Sequence, residues 1–216
     1  MYHVDLHAHT RFFHSIPEQA TPYDPIGARL LGRTASARGL DAVALTNHDY
    51  YEPFADSGVT FIPGIEVTTT KGHVLVVGPD PPDHTEAGTL TPEEVVEEAH
   101  DRDCAAILPH PFRSSSVRES QAPFDAVELN GKHPDTHDRV RRLAEERSLP
   151  MTGGSDAHFP FEAARGFTRV EAEELTPESV VEAVRDGRVE PIYRGGPLER
   201  LLQPAYRTIH KMKGAK

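Results

Sequence analysis

Short aliphatic and β-branched runs alternate with helix-like segments along most of the chain, and this alternation restricts the fold more than any other sequence feature. The expected strands cover residues 2–7, 41–46, 59–70, 73–78, 105–110, 125–130, 149–154 and 166–171. Helices are expected within residues 23–40, 91–103, 133–148 and 176–187. Strands that alternate with helices pair in parallel and are joined by crossovers. About seven such units favour an α/β barrel over an open sheet.

Helix-capping chemistry marks where two of these helices begin. Asp24 is the expected N-cap of the first helix, with Pro25 in its first turn and Gly39 as its C-terminal stop. Thr91 is the expected N-cap of the second helix. Pro92 and two acidic residues follow it, and acidic side chains suit a helix N-terminus.

The distribution of charge divides the chain into two parts. Its net charge is −11 with histidine neutral, which disfavours binding to nucleic acid or to an anionic membrane. Residues 191–216, however, contain six Lys or Arg and one acidic residue. We therefore expect a barrel domain over residues 1–190 and a basic C-terminal tail over residues 191–216, whose apolar residues lie near helical spacing.

A single cysteine, Cys104, leaves no internal disulfide within this sequence and fits a reducing compartment. Its place beside the apolar run AAILP predicts a buried, inert thiol rather than a nucleophile. Apolar residues make up 37% of the chain without a long apolar run or a charged leader. We therefore expect a cytoplasmic protein with no membrane span.

Histidine and carboxylate residues gather at the ends of the expected strands. His7 and His9 are two apart in a strand, so they face the same way and can share one ion. The further candidates lie next to other strands: His14, His48, Glu66, His73, His110, Asp156 and His158. In a (β/α) barrel the loops after the strands converge at one rim, where functional groups lie. Independent core histidines would have no reason to occupy these positions.

One ion needs about four protein ligands, or three and an open position. Nine candidates therefore indicate two or three ions that share carboxylates, for which Glu66 and Asp156 each offer two oxygens. Imidazole and carboxylate ligands accept zinc, manganese and iron alike. Closely spaced ions can hold a bridging hydroxide near neutral pH, which is a nucleophile without help from Ser or Cys.

Six motifs occur in an order that resembles the PHP (polymerase and histidinol phosphatase) superfamily: DLHAHT, LTNHD, PGIEVTT, HVLVVG, PHP and GSDAH. The match spans about residues 3–190. The resemblance implies a distorted (β/α)7 TIM-like barrel with a trinuclear metal centre at the C-terminal ends of the strands. It also implies a metal-dependent phosphoesterase that uses two or three divalent transition-metal ions.

The resemblance further divides the nine candidates among three ions. The first ion takes the His-x-His pair and both carboxylates, namely His7, His9, Glu66 and Asp156. The second takes Glu66, His73 and His110. The third takes His14, His48 and His158.

Two positions depart from the common pattern of the superfamily. His14 stands where many members carry Asp, although some phosphatases of the family use His. Asn47 replaces the Asp of the common TDH motif, and we interpret it as a neighbour of the ligands rather than a ligand. This replacement would alter the charge around the third ion.

A small phosphorylated substrate is the expected partner. Its phosphate would bind the ions while the bridging hydroxide attacks phosphorus in line with the leaving oxygen. The predicted catalytic set consists of the bridging carboxylates Glu66 and Asp156 together with Arg11 and Arg113, because arginine pairs phosphate oxygens in a bidentate fork.

Two further segments have weaker assignments. Arg118 is a lesser candidate for a phosphate contact, and residues 113–120 follow a strand end, where a loop can close over substrate as a lid. We interpret His133 as a helix-start or surface residue.

Three alternatives stay open at this point. Amidohydrolases also begin with His-x-His on a first barrel strand, but Glu66 and the pair Asp156 and His158 fit the PHP order better. A PHP-type 3′–5′ exonuclease or phosphodiesterase would act on nucleic acid, which the acidic body disfavours and the basic tail permits. A non-catalytic, metal-stabilised regulatory module would be expected to lose ligands. Because loops determine the substrate, the fold and metals alone do not identify it.

Overall fold

The computed structural model describes residues 1–10, 20–21, 23–54, 58–113 and 115–195. These residues form nine strands: β1 (Tyr2–Ala8), β2 (Ala42–Leu45), β3 (Thr60–Thr69), β4 (Gly72–Val77), β5 (Ala105–Leu108), β6 (Ala126–Asn130), β7 (Met151–Gly154), β8 (Gly166–Val170) and β9 (Val189–Tyr193). The α-helices are α1 (Asp24–Ala37), α2 (Pro92–Asp101), α3 (His137–Arg147) and α4 (Pro177–Arg185). Single 3₁₀ turns occupy Val117–Glu119, Pro134–Thr136 and Pro160–Glu162. Arg11, His14 and the part of the predicted tail from residue 196 onward lie outside the described residues.

The strands form one sheet in the order β7-β6-β5-β4-β3-β2-β1-β8-β9. The sheet curls until β7, at one end, lies against β1, β8 and β9. Gly153 in β7 donates its N–H to Thr168 Oγ1 in β8 at 2.8 Å. A Cβ at Gly153 would collide with the backbone of Phe167, so only glycine permits this close approach. The predicted α/β barrel is confirmed as a nearly closed barrel.

The strand directions differ in part from the expected parallel pairing. Strands β1 to β3 pair in parallel, as do β5 to β7. The pairings of β4 with β3 and β5, and of β8 with β1 and β9, are antiparallel. Only Thr70 and Lys71 separate β3 from β4, and a loop this short makes a hairpin rather than a crossover. This hairpin and the additional strand β9 give nine strands where about seven β/α units were expected.

Strand β9 was not expected from the sequence. It pairs with β8 from Gly166 opposite Tyr193 to Val170 opposite Val189. Pro191 weakens the strand pattern of the segment VEPIY, but proline is tolerated here because β9 is the last strand of the sheet. The strand continues past residue 190, where the barrel was expected to end.

Helices cover the sheet through three apolar clusters. α2 and α3 contribute Val96 and Val140 to a cluster with strands β3 to β6. α4 contributes Val184 to a cluster with strands β1 to β6, and α1 contributes Leu31 to a cluster with β1 and β2. Each such side chain is buried, and full burial contributes about 1.5–3 kcal/mol. No helix in the described ranges is long and apolar enough to span a bilayer.

The helix starts confirm one predicted cap and correct the other. Thr91 Oγ1 accepts the N–H of Glu94 at 3.2 Å, and the Glu94 carboxylate accepts the Thr91 N–H at 2.8 Å. Asp24 is not the N-cap of α1 but its first residue, and Tyr23 precedes it. The buried Asp24 carboxylate instead accepts the Thr21 N–H at 2.6 Å and the Thr10 hydroxyl at 3.2 Å. It therefore ties α1 to the loop after β1.

Candidate metal centre

One rim of the barrel collects eight of the nine predicted ligands: His7, His9, His48, Glu66, His73, His110, Asp156 and His158. His73 reaches this rim from the beginning of a strand, not its end. Because β4 is antiparallel to β3, His73 lies opposite Thr68, near the end of β3. The ninth candidate, His14, lies outside the described residues.

Glu66 is the centre of this cluster and is buried. Five imidazole nitrogens surround its carboxylate. Oε2 lies 3.2 Å from His7 Nε2, 3.3 Å from His9 Nε2 and 3.3 Å from His48 Nδ1. Oε1 lies 2.7 Å from His73 Nδ1 and 3.0 Å from His110 Nε2. A carboxylate has about four lone-pair positions, so it cannot accept a hydrogen bond from each of five nitrogens. Hydrogen bonding to Glu66 alone therefore does not account for this arrangement, in which the five rings point toward one shared volume.

Asp156 is the second buried carboxylate of the rim. Its Oδ1 lies 3.2 Å from His158 Nδ1 and 3.7 Å from His9 Nε2. Arg113 Nη1 lies 3.7 Å from Oδ2, which places this predicted phosphate contact at the edge of the cluster. The Arg113 side chain is 34% exposed, so its guanidinium can meet a ligand from solvent.

Four overlapping groups of side chains have ligand atoms within 4.8 Å of one another. They are His7–His9–Glu66, His7–His110–Asp156, His48–Glu66–His73 and His9–His48–His158. The first group agrees with three members of the first predicted ligand set. His110, in contrast, groups with Asp156 rather than with His73. The predicted division of ligands among three ions stays a prediction.

The protonation states of several of these groups suit metal ligation, which requires neutral imidazoles and ionised carboxylates. Burial lowers the pKa of His9, and it holds the pKa of His158 well below the usual range, with Lys132 adding to the effect. Burial alone would raise the pKa of Glu66, but the charges of His48, His73 and His7 hold it well below the usual range. Lys132 and His158 similarly outweigh burial and keep the pKa of Asp156 low. Glu128 and Glu66 outweigh burial and hold the pKa of His7 well above the usual range, and Glu66 likewise raises the pKa of His73. Metal binding at these two imidazoles would therefore release protons, and the donor set of imidazoles and carboxylates fits divalent metal ions.

Glu128 contacts two of the candidate ligands and is absent from the residues predicted from the sequence. It is buried in β6, and its Oε1 lies 2.8 Å from His7 Nδ1. Its Oε2 accepts the N–H of His110 at 2.9 Å and the amide of Asn130 at 3.0 Å. A carboxylate on the far nitrogen of a metal-binding histidine fixes the ring and raises its basicity. The signal was available, because Glu128 is the one acid within the strand AVELN, and a buried acid requires a partner.

Lys132 was also missed, and it introduces a cation into the rim. Its Nζ lies 3.3 Å from Asp156 Oδ1, 2.7 Å from His158 Nδ1 and 3.7 Å from Glu162 Oε2. The buried Glu162 carboxylate also accepts the N–H groups of His158 and Phe159 at 2.8 and 3.0 Å. This network holds the loop after β7 and places an ammonium beside Asp156.

His133 lies nearer to this site than its interpretation as a surface residue predicts. It does precede a 3₁₀ turn, so its expected place at a helix start is correct. Burial, together with Arg113, His110 and Lys132, lowers its pKa to about 4, although Asp156 acts in the opposite direction. The ring is therefore neutral at pH 7.

Backbone conformation at the rim is strained at two of the predicted ligands. His110 has φ of 27° and Asp156 has φ of 51°, in the left-handed region that non-glycine residues seldom adopt. Such conformations cost about 1–3 kcal/mol and persist where the surrounding structure enforces them. Here the Asp156 N–H donates to His7 O at 2.8 Å, and the His110 N–H donates to Glu128.

Asn47 takes the position beside the ligands that the sequence predicted. It is buried, and its Oδ1 accepts the Thr10 N–H at 2.9 Å and the Thr10 hydroxyl at 3.1 Å. Asn47 thus joins the loops after β1 and β2.

Arg118 is engaged in local structure rather than in the rim. Its Nη1 donates to Ser115 O at 2.5 Å and to Pro111 O at 3.3 Å. Arg147 of α3 donates to Arg118 O and, at 3.2 Å, to Ser120 O. These contacts attach the segment interpreted as a lid to α3, and its closure over substrate stays a prediction.

Comparison with known proteins agrees with this geometry. A family model described as PHP-associated matches residues 134–189, which include Asp156 and His158. No match to this chain was found among curated protein sequences.

Solved structures share the fold at low identity. PsfC from Pseudomonas syringae is 19% identical with a TM-score of 0.74, and the alignment covers 96% of this chain and 98% of PsfC. A two-domain protein from Bacteroides vulgatus, which contains a predicted PHP-like metal-dependent phosphoesterase, is 18% identical with a TM-score of 0.62 over 89% of this chain and 65% of that one. The lesion-specific endonuclease PfuEndoQ from Pyrococcus furiosus is 22% identical with a TM-score of 0.60 over 86% and 56%.

These similarities establish a fold class. The chain shares its fold with a protein described as containing a predicted PHP-like metal-dependent phosphoesterase, and residues 134–189 match a PHP-associated model, so the predicted resemblance is confirmed at the level of the fold. It spans about two thirds of the Bacteroides vulgatus protein and just over half of PfuEndoQ, 65% and 56% of their lengths.

Proposed function

We propose that this protein is a metal-dependent phosphoesterase that hydrolyses a phosphate ester of a small molecule. The convergence of five imidazole nitrogens on the buried Glu66 carboxylate is the observation that carries the proposal. The fold shared with PHP-like phosphoesterases supports it.

The ligands proposed for two or three ions are the eight described rim residues together with His14. Zinc, manganese and iron are the candidate metals, because all accept imidazole and carboxylate ligands. Divalent ions held by these residues would neutralise phosphate charge and would favour ionised water near neutral pH.

The protein's own cations would complete the phosphate site. Arg113 and Lys132 approach opposite oxygens of Asp156, at 3.7 and 3.3 Å. A guanidinium and an ammonium in these positions can donate hydrogen bonds to the phosphate oxygens that do not react. Arg11 stays a proposed third contact.

Metal content and hydrolysis test this proposal together. We expect purified protein to contain more than one equivalent of transition metal by mass spectrometry and to cleave p-nitrophenyl phosphate or bis-p-nitrophenyl phosphate. Glu66→Gln should lose both metal and activity. His84→Gln is a matched control, because His84 is an exposed histidine that belongs to none of the candidate ligand groups. Metal-replete protein that is inert toward a broad panel of mono- and diesters would refute the proposal.

Cleavage of nucleic acid is the second candidate, because the fold is also that of PfuEndoQ. The net charge of −11 opposes it, since a polyanion would be repelled. The rates at which the protein cleaves labelled oligonucleotides and bis-p-nitrophenyl phosphate, measured side by side, decide between the two functions. Faster cleavage of the oligonucleotide would favour the nuclease.

A further inference from the structure

A groove rich in arginine lies between the segment that follows β5 and helix α3. Its volume is about 520 Å³. The residues used below line it: Phe112, Arg118, Arg139, Arg142 and Arg147, with Glu119 and Glu146. We call this cavity the arginine groove.

Positive charge in the arginine groove is not balanced by its own acids. Four guanidinium groups and two carboxylates line it. Arg118 pairs with Glu119 at 3.0 Å. In the described part of the chain, no carboxylate lies within ion-pair distance of Arg139, Arg142 or Arg147. An excess of cations in a chain of net charge −11 indicates a site for an anion.

Two of the four arginines hold the groove in shape, and two can meet a ligand. Arg118 and Arg147 donate to backbone carbonyls of residues 111–120. Arg139 lies over the ring of Phe112 at 4.0 Å, and Arg142 Nε donates to Asp138 O at 3.3 Å. The terminal amino groups of Arg139 and Arg142 make no hydrogen bond to other described residues, and both side chains are exposed.

The chemistry of the arginine groove favours a phosphoryl group. Guanidinium edges pair with phosphate oxygens through two parallel hydrogen bonds. Arg139 already covers one face of Phe112, so that face is closed to a stacked base. Recognition there depends on charge and hydrogen bonding rather than on an aromatic platform.

The arginine groove and the metal centre are connected through the segment that follows β5. Phe112 lines the groove, and the next residue, Arg113, lies 3.7 Å from Asp156. His110, two residues before Phe112, lies 3.0 Å from Glu66. A short segment after β5 therefore forms the border between the two sites.

We propose that the arginine groove binds a second phosphoryl group of the substrate, distant from the one hydrolysed at the metal centre. The substrate class is then a bisphosphorylated small molecule. This inference rests on the proposed phosphoesterase function for its substrate, but the groove can be tested without catalysis.

Non-hydrolysable phosphonates supply the test. Isothermal titration calorimetry on the metal-loaded full chain would compare α,ω-alkane bisphosphonates of graded length with alkyl monophosphonates of the same length. After correction for two equivalent ends, we expect the bisphosphonate of the right length to bind about tenfold tighter, as one further charged hydrogen-bonded contact implies. This preference should fall as salt rises, because exposed charges are screened.

Substitutions locate the effect. In the double variant Arg139→Ala/Arg142→Ala, the ratio of bisphosphonate affinity to monophosphonate affinity should fall to about one. Arg141→Ala is the matched control, since Arg141 lies on the same helix, does not line the groove and pairs with Asp138 at 3.0 Å. The control should keep the wild-type preference.

Each outcome supports or overturns the inference. Equal affinities at every length, no binding of either phosphonate, or an unchanged preference in the double variant would overturn it. If the bisphosphonate preference depends on Arg139 and Arg142 but the protein hydrolyses no phosphate ester, the proposed function is refuted and the arginine groove remains a phosphoryl-binding site. If the protein hydrolyses phosphate esters but shows no bisphosphonate preference, the proposed function stands and the groove inference is refuted.

Discussion

Replacing Glu128 by glutamine tests whether a carboxylate outside the ligand set organises the metal centre. Glu128 is 1% exposed and faces three donors: His7 Nδ1 at 2.8 Å, the His110 N–H at 2.9 Å and the Asn130 amide at 3.0 Å. Glutamine keeps the volume but has one acceptor oxygen. Its NH₂ group must therefore face either His7 or the donors on Oε2.

The expected cost has two parts. A buried donor left without an acceptor costs about 1–3 kcal/mol of unfolding free energy. Loss of the negative charge beside His7 should also weaken metal binding about 10–100-fold, as is usual when such a partner of a metal ligand is removed. By the ordinary conversion this is about 1.4–2.7 kcal/mol of binding free energy.

Chelator competition followed by mass spectrometry measures the affinity, and urea denaturation measures stability. Glu98→Gln is the matched control, because Glu98 is a half-exposed surface residue that pairs with Arg102 at 3.2 Å. Surface pairs of this kind contribute about 0–1 kcal/mol and should not affect metal. Unchanged metal affinity in Glu128→Gln, with the fold retained by circular dichroism, would refute the reasoning.

Three further outcomes are expected. Gly154→Ala should destabilise the fold by about 1–3 kcal/mol in urea denaturation and lower metal content, because its Cβ would collide with Glu128 and His7; wild-type stability would contradict this close packing. Burial raises the pKa of Cys104 to about 11, so about 0.1% is thiolate at pH 8, and thiol reagents should label it only slowly until urea unfolds the chain or the pH rises. Thr176→Ala removes the acceptor of the Ser179 N–H at 3.1 Å and should cost about 1 kcal/mol, measured as a lower Tm, whereas Thr176→Ser should retain it.

Local sequence patterns identified most of the elements, because they depend on interactions between near neighbours. The capping box of Thr91 and Glu94 spans four consecutive residues, so the sequence alone reveals it. The same holds for the β-branched run that becomes β4. Strand β9 was missed because its pairing with β8 compensates for the proline in its own sequence. Asp24 departed from its expected role because Thr10 and Thr21, not the helix, supply the donors to its carboxylate.

The candidate metal ligands were recognisable in the sequence, because imidazole and carboxylate chemistry belongs to the residue and motif spacing locates the strand ends. How these side chains combine depends on the three-dimensional fold. The antiparallel direction of β4 brings His73 to the rim. Closure of the barrel places Glu128 against His7, 121 residues apart in the chain, and the parallel pairing of β6 with β7 places Lys132 against Asp156, 24 residues apart. Such contacts depend on where strands meet in space, and no local pattern encodes that distance.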